Sequence, residues 1–183
     1  AGRTESVAAT PRPSKAWHEP VDTSCWSGGG GRTRILEGGR VFEKAGVNTS
    51  CVHGPVPVAL DKEMPGQAPE FYATGISLVL HPVNPHVPTV HANYRYIERG
   101  EVRWFGGGAD LTPYVLYPED AEHFHRTHAT VCDRTDPALY PRFKAWCDDY
   151  FRNHHRDEAR GIGGVFFDRE GLTNAFTHFP HLS

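Results

Sequence analysis

Ser77, His81, His91, Asn93 and Arg95 concentrate more chemistry in a short stretch than any other part of this sequence. Ser77 and His81 share one parity of an extended segment, and His91, Asn93 and Arg95 share one parity of the next. If the two segments pair through the proline-rich connection between them, a hydroxyl, two imidazoles, an amide and a guanidinium converge on one surface. An arginine fork matches a carboxylate, and the amide and hydroxyl add shorter hydrogen bonds. That set suits an anionic organic molecule. The alternative is an ordinary solvated face, although such faces more often carry Lys, Glu and Thr.

Asp110 follows Phe105-Gly106-Gly107-Gly108-Ala109. Three glycines let the backbone come close to a ligand and aim the carboxylate at it; a turn-forming aspartate is the competing reading. The chain has 12 His, ten of them after residue 80. Imidazole clusters suit Zn, Cu, Fe or Ni. No H-E-x-x-H motif is present, and His123 and His125 point nearly oppositely on a helix, so any ligands must come from different elements. Gly28-Gly29-Gly30-Gly31 before Arg32-Thr33-Arg34 resembles a phosphate cradle. It lacks the Gly-Lys-Ser/Thr ending, so it reads as a flexible entry into a strand.

The elements that must position these groups are mostly strands. The pattern predicts strands over Thr33–Leu36, Val41–Val52 in pieces, Phe71–Leu80, Thr89–Glu98 and Val102–Phe105, with Gly106-Gly107-Gly108 ending the last. Residues 54–70 carry four prolines and predict a loop. A helix is expected from Pro118, with His125 and His128 on its apolar face. A second runs from Pro137 or Tyr140 to near Gly161, with His154 projecting into its apolar stripe and His155 at the edge. Gly163–Phe167 is a short apolar strand. Residues 1–24 are expected to be a disordered arm, and Arg169–Ser183 a tail without period.

Length and composition bound the class. The 183 residues, 38% hydrophobic, suit one domain over residues 25–168. A net charge of −3 argues against nucleic acid binding. No run approaches the roughly 20 apolar residues of a membrane span, and the first residues given do not show the charged-then-apolar pattern expected of a signal peptide. Cys25, Cys51, Cys132 and Cys147 are widely spaced and read as free thiols of an intracellular protein.

Longer motifs are more specific. The run Gly28–Arg34, VFEKAGVN (Val41–Asn48), GISLVLHPVNPHVPTVHANYRY (Gly75–Tyr96), WFGGGADLTP (Trp104–Pro113), HFHRT (His123–Thr127), YPRFKAWCDDYF (Tyr140–Phe151) and HRDEARGIGGVFFD (His155–Asp168) resembles the oxygen-dependent coproporphyrinogen III oxidases. The resemblance implies an α+β fold, an antiparallel sheet flanked by helices on both faces, working as a homodimer. It implies oxidative decarboxylation of two propionates of coproporphyrinogen III to vinyls, in the cytoplasm or, in a eukaryote, the mitochondrion. Oxygen is the oxidant, with no organic cofactor. By matching motifs, Ser77 and the run Asn93-Tyr94-Arg95 correspond to substrate-binding positions. His91 corresponds to a proton donor, and Asp110 to an acid engaging the pyrrole nitrogens. A divalent metal on four histidines would fall to His81, His91, His125 and His155, where helical phase alone favours His154 over His155. The resemblance also implies an opening helix before Trp26 and further strands after Asp168, so a fragment or truncated gene product is expected. An inactive remnant that binds a porphyrinogen or a partner, and a metal-dependent oxygenase built on the histidines, are the competing readings.

Overall fold

A computed structural model describes residues 28–171. The expected disordered arm and most of the expected tail lie outside those residues. Strands β1 (Gly29–Glu37), β2 (Phe42–Pro55), β3 (Glu70–Pro82), β4 (Thr89–Arg99) and β5 (Val102–Thr112) form an antiparallel meander. Helices α1 (Pro118–Asp133) and α2 (Leu139–Tyr150) follow, then a ribbon of β6 (Arg152–Asn153) and β7 (Glu158–Ala159). Strand β8 (Gly163–Gly171) returns beside β5, giving the sheet order β1-β2-β3-β4-β5-β8. This is the expected α+β architecture.

The turns follow from local chemistry. Gly100, with φ of +61°, supplies the left-handed position of the hairpin that pairs Arg99 with Val102. Pro118 opens α1, where its missing N–H costs nothing, and Glu119 and Asp120 sit at the positive end of the helix dipole. The core gathers where the helices meet β8. Phe143, Val165 and Phe167 are buried together, with Phe105, Cys132, Leu139 and Tyr140 packed against them. Phe166 and Phe167 point to opposite faces of β8. Phe143 meets Phe167 at 5.1 Å, while Trp146 meets Phe166 at 5.3 Å, so α2 straddles that strand and touches both faces.

Three expectations are corrected. The glycines at 106–108 do not end β5, which runs on to Thr112. They are crossing points rather than breakers: a side chain at Gly108 would place its Cβ 2.6 Å from the Val165 carbonyl oxygen. Helix α2 stops at Tyr150, not near Gly161. Its apolar stripe ends there, Asp157 adopts φ of +54°, and Arg152 pairs with Asp157, so residues 152–159 fold as a ribbon. His154 and His155 therefore stand exposed on its turn, and neither faces a helical core. Strand β8 also continues past Phe167 to Gly171.

The loop after β2 is fastened by Arg99, which is only 4% exposed. Its guanidinium donates to the carbonyls of Ala68, Asp61 and Met64 and to the Asp61 carboxylate. Arg99→Met keeps the buried stem and removes every donor. It is expected to cost about 2–3 kcal/mol in urea unfolding and to expose residues 57–68 to proteolysis.

Candidate functional site

Register puts the functional side chains on one face. Ser77 lies directly opposite Asn93, Gly75 opposite Arg95, and Val79 opposite His91. Across the next pairing, His91 faces Asp110, Asn93 faces Gly108, and Arg95 faces Gly106. On the other side Asn48 pairs with Ser77 and Thr33 with Asn48. Directly opposed residues share a face, so five strands supply one polar surface. It forms a hollow of about 630 Å³, lined by Ser77, His81, His91, Asn93, Arg95 and Asp110 and closed at one end by Tyr150, Phe151 and Phe166. That volume lies in the range of small-molecule sites, roughly 300–1,000 Å³.

Glycine shapes the floor. Gly46, Gly75, Gly106 and Gly108 alternate with the polar residues on this face, leaving a surface without side chains on which a flat molecule can lie. At Gly106 the reason is visible: a Cβ there would come 2.5 Å from Asp168 Oδ1 and 2.7 Å from Arg95 Nε. The missing side chain is the space in which the guanidinium turns.

Asp110 is the most buried group of the site, 2% exposed. Its Oδ2 accepts a hydrogen bond from Arg160 Nη2 at 2.9 Å and stands 3.5 Å from His91 Nδ1. Arg95 Nη2 is 3.6 Å from Asp168 Oδ1. His91 Nδ1 and Arg95 Nε are buried and have no hydrogen-bond partner among the described residues. Buried donors are normally satisfied. Asp168 Oδ1, beside Arg95, is likewise buried without a hydrogen-bond partner, so unpaired polar atoms of His91, Arg95 and Asp168 gather on this wall.

Three expected site residues, Tyr94, His125 and His155, fall outside the hollow. Tyr94 lies on the opposite face, 46% exposed. The four histidines are not brought together. His81 and His91 meet edge to face at 6.4 Å between ring centroids. His155 sits on the ribbon turn. His125 spans the helices: Nε2 meets the Ile162 carbonyl at 3.1 Å and Nδ1 meets the Tyr140 hydroxyl at 2.8 Å. A carbonyl only accepts, so Nε2 carries the proton and Nδ1 accepts from Tyr140. Burial pushes the His125 pKa down, consistent with that neutral form. Both nitrogens are spent, so His125 does not fit a metal ligand, and among the described residues no three His, Cys, Asp or Glu side chains converge to hold an ion. Adding Zn²⁺ or EDTA is expected to move the thermal midpoint by less than about 1 °C, where a genuine four-ligand site gives several kcal/mol of linkage.

Sequence reasoning missed Arg160, Asp168, Phe151 and Phe166. Alternation along β8 already held Phe166, and would have reached Asp168 had the strand been read past Phe167. Arg160 carried no periodic signal, because it follows a ribbon read as helix.

An antiparallel sheet with one polar, glycine-paved face and a buried acid defines an α+β domain with a hollow of small-molecule size. Comparison with known proteins narrows this. The family model for coproporphyrinogen III oxidase matches residues 12–181. An oxygen-dependent coproporphyrinogen-III oxidase of Drosophila melanogaster is 54% identical over 180 residues, covering 91% of this chain and 45% of that protein. Proteins of the same name from Prochlorococcus marinus (strain MIT 9313) and Synechococcus sp. (strain CC9605) are 52% and 56% identical, over 84% and 77% of this chain. The chain belongs to the coproporphyrinogen III oxidase family. It spans less than half the length of these relatives, 40–45%.

Proposed function

We propose that this chain binds coproporphyrinogen III on the polar sheet face and converts two of its propionates to vinyls with oxygen, giving protoporphyrinogen IX in haem biosynthesis. The observation that carries the reading is the convergence of Ser77, His91, Asn93, Arg95 and Asp110 on one hollow in a member of this family. Each propionate gives up its carboxyl carbon as CO₂ and two hydrogens, while one O₂ takes two electrons and leaves as H₂O₂. The electron-rich pyrrole is the reductant, so the protein supplies position and proton control.

Arg95 binds a carboxylate through its guanidinium fork, with Asn93 and Ser77 beside it. Asp110 accepts from the pyrrole N–H groups, which raises ring electron density toward oxygen. His91, beside it, moves a proton during loss of CO₂. Orientation of this kind contributes up to about 7–11 kcal/mol at the extreme. No metal is assigned a step, because His125 is committed elsewhere. The reading extends to a homodimer and to a cytoplasmic setting, mitochondrial in a eukaryote.

A second reading is a domain that binds porphyrinogen in the same hollow without turnover. Anaerobic incubation with coproporphyrinogen III, followed by air, separates the two. Protoporphyrinogen with equal CO₂ and H₂O₂ is expected; binding with no product leaves the second reading.

A further inference from the structure

The hollow poses an electrostatic conflict. Its ligand, on the reading above, carries four carboxylates, yet the most buried side chain of the wall is itself a carboxylate, Asp110. Like charges brought together in a partly desolvated site repel strongly. Arg160 meets that carboxylate from the side of the ribbon. Its Nη2 donates to Asp110 Oδ2 at 2.9 Å, and its Cζ stands 3.9 Å from the centre of the Phe151 ring. The guanidinium is thus held by an acid at its end and an aromatic face on its plane.

The backbone fixes this placement. Gly161, with φ of +62°, brings the chain so close to Leu111 that a Cβ would collide with the Leu111 carbonyl oxygen. Ile162 N–H then donates to that same carbonyl at 3.0 Å. The residue before Gly161 is in this way pinned beside the residue before Leu111. Phe151 is held in turn, edge-on to Tyr150 at 4.9 Å.

We propose that Arg160 is the counter-ion of Asp110, a positioning residue that neutralises the buried carboxylate so that a polyanionic porphyrinogen can enter. The inference rests on the proposed site. Its role is indirect: Arg160 sets the charge that the ligand meets through Asp110, and Phe151 keeps it there.

The test uses the 183-residue chain and coproporphyrin III, the stable oxidised tetracarboxylate, followed by fluorescence. Four proteins are compared: parent, Arg160→Gln, Asp110→Asn, and the double variant. The wall's net charge orders the affinities. Arg160→Gln binds about tenfold or more weakly, Asp110→Asn binds at least as tightly as the parent, and the double variant returns to within about threefold of the parent. The loss in Arg160→Gln shrinks for a porphyrin bearing two carboxylates, which a merely structural role would not produce. Should Arg160→Gln fail to fold, the double variant, with no buried charge, carries the comparison with parent and Asp110→Asn. A double variant that binds ten times more weakly than the parent makes Arg160 a direct ligand contact and overturns the inference. Parental affinity in Arg160→Gln overturns it as well. Failure of the parent to bind the porphyrin removes the site reading itself, and the inference with it.

Discussion

Asp110→Asn is expected to lower oxygen-dependent conversion of coproporphyrinogen III by about 10²–10⁴-fold, the usual contribution of a positioned proton-transfer group, while ligand affinity holds or improves. The substitution is isosteric, and the side chain is 2% exposed with Arg160 and His91 at one oxygen. Geometry is retained, but the amide cannot accept a proton from a pyrrole nitrogen. A fall in kcat without a rise in KM marks loss of an interaction made in the transition state. Single-turnover measurement under limiting oxygen checks this directly. Turnover at the parental rate removes Asp110 from proton transfer.

The second large effect is structural. Gly164 pairs with Asp110, and a Cβ at Gly164 would fall onto the carbonyl oxygen of Ala109 and within 3.0 Å of the Asp110 Cα. Both obstacles are backbone of the adjacent strand β5, so neither can swing aside. Gly164→Ala is expected to cost about 3 kcal/mol, lowering the thermal midpoint by about 6–12 °C. The same displacement separates β8 from β5 and carries Phe166 and Asp168 off the hollow. Gly46→Ala is the control, because its Cβ would meet only Val79 Cγ1 at 3.9 Å. Its midpoint is expected to stay within about 2 °C of the parent. Equal losses in the two variants would mean that close approach at Gly164 does not limit stability.

Much of this face was legible before any coordinates. Period-two alternation in Thr89–Glu98 set His91, Asn93 and Arg95 apart from Val90, Ala92 and Tyr94, and the same parity joined Ser77 to His81. Parity did not fix the register, which the structure sets with Ser77 opposite Asn93. Where reading failed, tertiary contact overrode local signal. Gly106–Gly108 look like a strand end locally, but β4 and β8 on either side need their bare backbone. Residues 152–160 continue a helical phase on paper, yet they hold no apolar side chain large enough to anchor another turn on β8. That misreading favoured His154 as an inward histidine and hid Arg160, whereas His155 entered the metal set through the motif alone. Tyr94 was drawn in by its neighbours in a motif, although alternation alone sends it to the other side of the sheet.

Adjacent residues on opposite faces offer the most direct test. Coproporphyrin III should be titrated into the parent chain, Arg95→Gln and Tyr94→Phe. Arg95→Gln is expected to weaken binding about 10–100-fold, the worth of a charge-assisted carboxylate pair, while Tyr94→Phe stays within about twofold of the parent. Loss of binding in Tyr94→Phe with Arg95→Gln unaffected would put the ligand on the other face and contradict the account.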